Sequence, residues 1–441
     1  MLPSALGNSG PSCRLALTIG PGPRRVVEDG DRPRLYIPAA RRRRRMPPPD
    51  LARCRKILVV KPDFIGDWVM TTPFLENLRA SAPRAEITAG VLDRVFTLAE
   101  TCRFVDRVIS IGRAEGRRIV FGAADRATLA AFGDDYRRGA FDLAIVPRYD
   151  ADFNGALAIA HGSGARSVVG FSEMSTPRRR SLNRGDDRFY TMAITDPRPV
   201  AHESERELAL LEALGGTVKS RRPSLDVRPA DEAAAGEFLD GAIGRKARGF
   251  LAVAPFGSEA KKTLPAAELA PVIRGLAARF ELDILVIASP GDAAAADLFA
   301  VGIGAQSTTR GLGLRATAAL LRKATAFIGM DSGPAHIAAA MGTPVAVLAC
   351  HPLDGSPIHT NAPERFAPVG ATGQVTIIRP ARAKASCIEG CEEGEAHCIL
   401  GLTDEILSRR LDAFLGGATA SDGASKSQSR RRRASAMDAR A

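Results

Sequence analysis

Three stretches of this 441-residue sequence gather side chains suited to handling a phosphorylated substrate. In the first, Lys61-Pro62-Asp63-Phe64-Ile65-Gly66-Asp67 follows the aliphatic run Lys56 to Val60. Gly66 permits a tight turn, and Asp67 stands at the opening of a helix, where ligands meet open parallel sheets. A carboxylate there is commonly an N-cap for backbone N–H groups, and it can also take a proton from a substrate hydroxyl. The second stretch, Pro255 to Pro265, follows Phe250 to Ala254. Gly257 and Ser258 offer amide and hydroxyl donors to an anion, and Lys261 or Lys262 offers countercharge. Gly, Ser and Lys are common on surface loops, so this stretch alone is a weak signal. The third, Phe327 to Pro344, is stronger: a strand runs into Asp331-Ser332-Gly333-Pro334 and then a helix of small residues carrying His336. Ser332 and Gly333 present amides at the positive end of that helix, an arrangement suited to a diphosphate.

The rest of the composition removes several function classes. No G-x-G-x-x-G or G-x-x-x-x-G-K-[ST] stands at a strand-to-helix turn, which argues against a dinucleotide oxidoreductase and a P-loop NTPase. The net charge of +12 suggests nucleic acid until it is located. Residues 1–50 carry +6 and residues 417–441 carry +4, leaving +2 for everything between. Those tails are Arg-, Pro-, Ala- and Ser-rich, with no aromatic residues interleaved among the Arg runs for base stacking. They read as disordered basic extensions suited at most to peripheral contact with an anionic membrane, and nucleic acid is not an expected partner. The most apolar window, Phe327 to Cys350, is broken by Asp331, His336, Gly and Pro, so it does not read as a membrane span. Seven scattered cysteines without a signal peptide suggest a reducing cytoplasm rather than a disulfide framework. No metal-ligating constellation sits in the three loops. Elsewhere, Cys387-x3-Cys391-x5-His397-Cys398 has the residue types of a Cys3His zinc site. The adjacent His397-Cys398 pair is awkward for one tetrahedral centre, so burial or another structural role is the expected reading.

The elements that must position these loops follow from hydrophobic pattern. Lys56–Val60, Glu86–Leu92, Asp106–Ile111, Phe141–Val146 and Ser167–Gly170 read as strands, with helices over Asp67–Ala80, Val95–Thr101 and Gly155–His161. Near-continuous aliphatic strands alternating with helices indicate a parallel sheet covered on both faces. A helix over Glu203–Gly215 closes this half, and a second helix is expected over Ala230–Ala242. A new series starts at Phe250, with strands ending before the lysine loop, at Ala288, at Gly329 and at Leu348. The chain therefore divides into a basic extension (1–50), a Rossmann-like half (51–216), a linker region (217–245), a second Rossmann-like half (246–415) and a basic tail (416–441).

On those residues a resemblance becomes specific. ILVVKPDFIGDWVMTTPFLENLRASAPRAEIT, HESERELALLEALG, Lys262-Thr-Leu-Pro265 and FIGMDSGPAHIAAAMGTPVAVL, in this order, resemble glycosyltransferase family 9, the ADP-heptose:lipopolysaccharide heptosyltransferases. The likeness covers roughly residues 55–415. It implies an α/β chain of GT-B architecture, with two Rossmann-like doubly wound domains facing across a cleft, and inverting transfer from a nucleotide-diphosphate sugar without a required cofactor. ADP-heptose is the implied donor, and a lipopolysaccharide-core or other lipid-linked cell-envelope glycan the implied acceptor. By resemblance Asp67 matches the general base, and Lys262 matches the lysine of a Lys-x-Trp-Pro motif. Asp331, Ser332, Gly333 and His336 match the donor-diphosphate loop, and Asp292 lies about where an acid meets the nucleotide ribose. Leu264 replaces the usual Trp, Ala254-Pro255-Phe256 the usual His-Pro-Gly, and Leu353-Asp354-Gly355 the usual Thr-Asp-Pro. Two other functions fit the same loops: a GT-B nucleotide-sugar epimerase, and a non-catalytic nucleotide-sugar or glycan binder in which Asp67 is only a cap.

Overall fold

The structure is a computed structural model that describes residues 45–115, 118–120, 141–244, 249–307, 312–391 and 393–420. The basic extension before residue 45 and the tail after residue 420 lie outside the described residues. The aliphatic runs form strands buried on both faces, as a helix-covered parallel sheet requires.

The first sheet contains β1 (Lys56–Lys61), β2 (Glu86–Val91) and β3 (Arg107–Ser110). A separate antiparallel pair, β4 (Arg113–Glu115) and β5 (Arg118–Val120), follows, and then β6 (Leu143–Val146), β7 (Ser167–Phe171) and β8 (Met192–Ile194) complete the sheet. The connecting helices are α1 (Ile65–Ser81), α2 (Asp93–Ala99), α3 (Ala156–Gly162), α4 (Pro177–Leu182) and α5 (Glu203–Ala213). After α6 (Pro229–Ala242) come β9 (Phe250–Ala254), α7 (Ala266–Arg279), β10 (Asp283–Val286), α8 (Ala293–Ile303) and β11 (Gln306–Ser307). The second half continues with α9 (Leu314–Leu321), β12 (Ala326–Met330), α10 (Gly333–Ala340), β13 (Val345–Leu348), α11 (Pro363–Phe366) and β14 (Val375–Ile378). A final helix spans residues 404–420, five residues beyond the boundary expected from composition.

Both sheets are wholly parallel and share one topology: β3-β2-β1-β6-β7-β8 and β11-β10-β9-β12-β13-β14. In each, the strand order reverses beside the first strand, between β1 and β6 and between β9 and β12. Ligands of open α/β sheets bind beyond the carboxyl ends at such reversals. The loops holding Asp67, Lys262 and Asp331 all leave those carboxyl ends.

Local chemistry shapes α1, which carries the first loop. It begins at Ile65, two residues earlier than the pattern suggests, with Phe64 as an N-cap that supplies no side-chain acceptor. Pro73 lies inside the helix and lacks the N–H that would meet the Val69 carbonyl. The Thr72 hydroxyl donates to that carbonyl instead, at 2.8 Å. Beyond the helix, Asn77 Oδ1 accepts the N–H groups of Lys219 (2.6 Å) and Ser220 (3.1 Å), fastening the crossing segment to the first half. The region 217–245 is thus more than a linker, since α6 packs on α9 of the second half.

Candidate functional site

The two halves meet where the N-termini of α1 and α10 approach each other. A Cβ added at Gly66 would stand 2.9 Å from His336 Cδ2, and one at Gly333 would stand 3.1 Å from Ile65 Cβ. Glycine at both positions is therefore what lets the two helix ends touch. The free amides of two helices and their positive dipole ends converge on one place in the cleft. His336 is buried there with its Nδ1 unpartnered, and burial pulls its imidazole down to about 4, so it is neutral at pH 7.

Asp67 sits at the third position of α1, and its Oδ2 accepts the Phe64 N–H at 3.3 Å. The cap role is real, but Asp67 is not the N-cap residue: it reaches back from the first turn, leaving Oδ1 without a part in that bond. The side chain is half-buried. Burial, and then the negative charge of Asp63, push its carboxyl above the ordinary carboxylate range, against the pull of Lys61 and Arg148.

Behind Asp67 lies a buried charge cluster that the sequence reading assigned no role. Lys61 Nζ bonds Glu207 Oε1 at 2.7 Å and lies 3.2 Å from Asp63 Oδ2. Arg148 pairs with the other oxygen of Asp63, and Thr71 Oγ1 lies 3.1 Å from Glu207 Oε1. Three carboxylates, Asp63, Asp67 and Glu207, thus share two cations. Burial alone would raise the Asp63 carboxyl, but Arg148 and Lys61 outweigh it and hold it down. The unbalanced negative charge then falls on Asp67 and on Glu207, whose carboxyl burial pushes up to about 7. Arg148 itself is placed by donating Nε to the Ala151 carbonyl at 2.6 Å, while the wholly buried Arg179 donates to the Arg148 carbonyl at 2.8 Å.

Across the cleft, Lys262 Nζ lies 3.5 Å from Asp331 Oδ2. Burial works against the lysine's charge, but Asp331 keeps it firmly protonated. Gly257 packs directly on this loop, where an added Cβ would stand 2.8 Å from Lys262 Cβ. Its N–H donates to Thr263 Oγ1 at 2.9 Å, a bond that shapes the lysine turn. Ser258 is exposed on the same loop. Ser332 is the N-cap of α10, and its hydroxyl donates back to the Met330 carbonyl at 3.1 Å, leaving the backbone amides of the helix end as the donors facing the cleft. Asp292 lies after β10 on the same sheet edge, with its Oδ2 accepting from Ser289 Oγ at 2.6 Å. Leu264, in place of the tryptophan, is buried in the apolar core of the second half.

Further pairs hold the halves in register. Arg365 on α11 donates to Glu203 Oε1 at 2.7 Å and to Asp150 Oδ2 at 3.2 Å, both from the first half. His202 Nε2 lies 2.8 Å from the Ala367 carbonyl. Glu203 and Glu207, one helical turn apart on α5, therefore serve the interdomain contact and the Lys61 cluster.

Comparison with known proteins agrees with this architecture. The family model of glycosyltransferase family 9 (heptosyltransferase) matches residues 133–352. A Haemophilus influenzae protein carrying the name glycosyltransferase is 25% identical over 342 residues, covering 75% of this chain and 91% of the relative. A family 9 glycosyl transferase structure from Veillonella parvula superposes with a TM-score of 0.65 at 20% identity, covering 82% of this chain and 97% of that one. The E. coli ADP-heptose LPS heptosyltransferase II gives 0.59 at 17% identity, covering 82% and 98%. E. coli heptosyltransferase WaaC with ADP gives 0.58 at 17% identity, covering 81% and 99%. With two parallel-sheet domains of GT-B type and the family model across both halves, this chain belongs to glycosyltransferase family 9 and is a glycosyltransferase.

Proposed function

We propose that the chain catalyses inverting transfer of a heptose from ADP-heptose to a hydroxyl of a lipopolysaccharide-core or related cell-envelope glycan. The observation that carries this reading is the meeting of α1, which bears Asp67, with α10 at Gly66 and His336, while Asp331, just before α10, pairs with Lys262. Asp67 accepts the proton of the acceptor hydroxyl as its oxygen attacks the anomeric carbon. The leaving diphosphate departs from the opposite face, and its charge is met by Lys262 and by the backbone amides at Ser332 and Gly333. A single displacement of this kind inverts the anomeric centre and needs one catalytic carboxylate. The bond from the sugar to the diphosphate breaks as the bond to the acceptor oxygen forms.

A lipid-linked acceptor places the enzyme at the inner face of the cytoplasmic membrane. No helix among the described residues is long and apolar enough to cross a membrane, which suits peripheral contact. The test measures heptose transfer by the full chain from ADP-heptose to a heptose-deficient core glycan, with the anomeric configuration of the product read by NMR. Asp67→Asn is expected to lower kcat by roughly 10²- to 10⁴-fold while the ADP-heptose dissociation constant stays within a few-fold. Lys262→Ala is expected to weaken donor binding roughly tenfold or more. Unchanged transfer in Asp67→Asn, or a retained anomeric configuration, would refute the mechanism.

A further inference from the structure

Away from the cleft, the segment between β14 and the final helix carries a thiol and imidazole cluster that the transfer reaction does not use. Cys387 is 3% exposed and Cys398 6% exposed, while Cys391 and His397 are half-buried. Ligand atoms of Cys387, Cys391 and His397 all lie within 4.8 Å of one another. We propose that Cys387, Cys391, His397 and Cys398 form a closed tetrahedral Cys3His site for one structural zinc ion, which braces the lysine loop of the second half.

Three observations on these residues support the assignment. His397 Nε2 lies 3.1 Å from Cys387 Sγ and 3.4 Å from Cys391 Sγ. Zinc bonds of about 2.3 Å to sulfur and about 2.0 Å to nitrogen at a tetrahedral angle require sulfur-to-nitrogen separations of about 3.5 Å. Nε2 is thus within a few tenths of an ångström of the ligating separation from both sulfurs. The imidazole is also oriented as a ligand. Its Nδ1 lies 2.8 Å from the Glu395 carbonyl, which can only accept, so Nδ1 carries a proton and the neutral ring has its Nε2 lone pair facing the sulfurs. Lastly, Cys398, next in sequence to His397, is buried, and its Sγ accepts the Lys384 N–H at 3.4 Å, the kind of outer hydrogen bond that steadies a ligating thiolate.

The adjacency of His397 and Cys398, which weighed against zinc in the sequence, is resolved by the backbone. A 3-10 turn begins at Cys398, with His397 as its cap. The long imidazole thereby reaches Cys387, and the short thiol that follows it in sequence is held in the buried turn beside it. The need for a staple is also visible. Between β14 and the helix at 404 the described residues form only two short 3-10 turns, and Ile388, Glu389 and Gly390 are exposed. A segment with so small an apolar core gains order from a metal whose binding free energy becomes folding free energy. The brace reaches the cleft through Lys261, whose Nζ donates to the Cys391 carbonyl at 3.2 Å, next in sequence to Lys262.

The test uses the full chain purified from zinc-supplemented medium without chelator. Inductively coupled plasma mass spectrometry over the first-row metals should find about one zinc per chain. A thiol-blocking reagent should release it to a colorimetric zinc indicator. Cys391→Ser and His397→Ala should lose most of the zinc, while Cys54→Ser, a buried thiol of the first half, should keep it. Should the variants fail to fold, the wild-type chain still answers: cobalt exchanged into it should show the visible bands of a tetrahedral thiolate site. Absence of metal, iron in place of zinc, zinc retained in both site variants, or a Cys387–Cys391 disulfide found without reductant would each overturn the assignment.

Discussion

Gly66 offers a sharp test of the contact on which the cleft depends, because two known effects of replacing it with alanine oppose each other. Gly66 occupies the second position of α1 and has no positive φ, so alanine fits its backbone. On propensity alone Gly66→Ala should stabilise the helix by up to about 1 kcal/mol. The new methyl, however, would stand 2.9 Å from His336 Cδ2 and 3.1 Å from Nε2, and His336 is itself buried. Reaching an ordinary carbon contact of about 3.5–4.0 Å demands a shift of roughly 0.6–1 Å between the helix ends. Overpacking of that kind costs about 1–3 kcal/mol, so the net expectation is a loss of up to about 2 kcal/mol. The sign should reverse in a His336→Ala background, where the ring is gone and only the propensity gain remains. Urea unfolding of wild type, both single variants and the double variant measures the coupling directly. Sugar transfer should fall much further than stability, by on the order of 10²-fold in kcat/KM, because the displaced helix end carries Asp67. A Gly66→Ala chain as stable and active as wild type, or additive with His336→Ala, would refute the contact as the element that sets the cleft.

Two further perturbations probe the same interface. Burial pulls the His336 imidazole down from 6.5 to about 4, so the native state resists a proton that the unfolded chain accepts. Its contribution is therefore complete above about pH 6.5 and is lost as pH falls toward 4, at up to about 1.4 kcal/mol per pH unit. Across that window His336→Ala should show a shallower decline of urea midpoint than wild type, and parallel curves would refute the assignment of this proton. Arg365→Ala removes the cation shared by Glu203 and Asp150 and leaves two half-buried carboxylates of the first half without their partner from the second. The expected cost is about 3–5 kcal/mol, read as a lowered melting temperature by calorimetry, and a change within about 0.5 kcal/mol would show that the pair is solvated.

What the sequence made visible, and what it hid, follows from the range of the interactions. Central strands such as β1, β9, β12 and β13 are buried on both faces, so each is a run of aliphatic residues that declares itself. The edge strands β8, β11 and β14 have short or half-exposed faces, and their patterns do not separate from loop. Asp67, Ser332 and Gly333 stood out because their placement at a helix start is local, whereas Gly66, read as a tight turn, lies inside α1, where its lack of a side chain serves the distant His336. The start of α1 was misplaced by two residues because its cap, Phe64, contributes no side-chain acceptor to announce it. The partner of the Gly257 amide, Thr263, was not legible, because that contact is set by the shape of the loop. The cluster behind Asp67 was hidden by distance along the chain, since Lys61 and Glu207 stand 146 residues apart. A trace was nonetheless present: α5 places Glu203 and Glu207 four residues apart while burying Leu208 and Leu211. Charges in a helix that has little exposed face to hold them require partners inside the protein. Those partners give the Gly-Asp motif its chemical character. An aspartate with both cations to itself would be a weak base, held in the ordinary range or below. Here burial raises the Asp67 carboxyl first and the charge of Asp63 adds to it, while Lys61 and Arg148, which also pair with Asp63 and Glu207, do not cancel the rise. The motif supplies the carboxylate, and residues distant in sequence set how readily it accepts a proton.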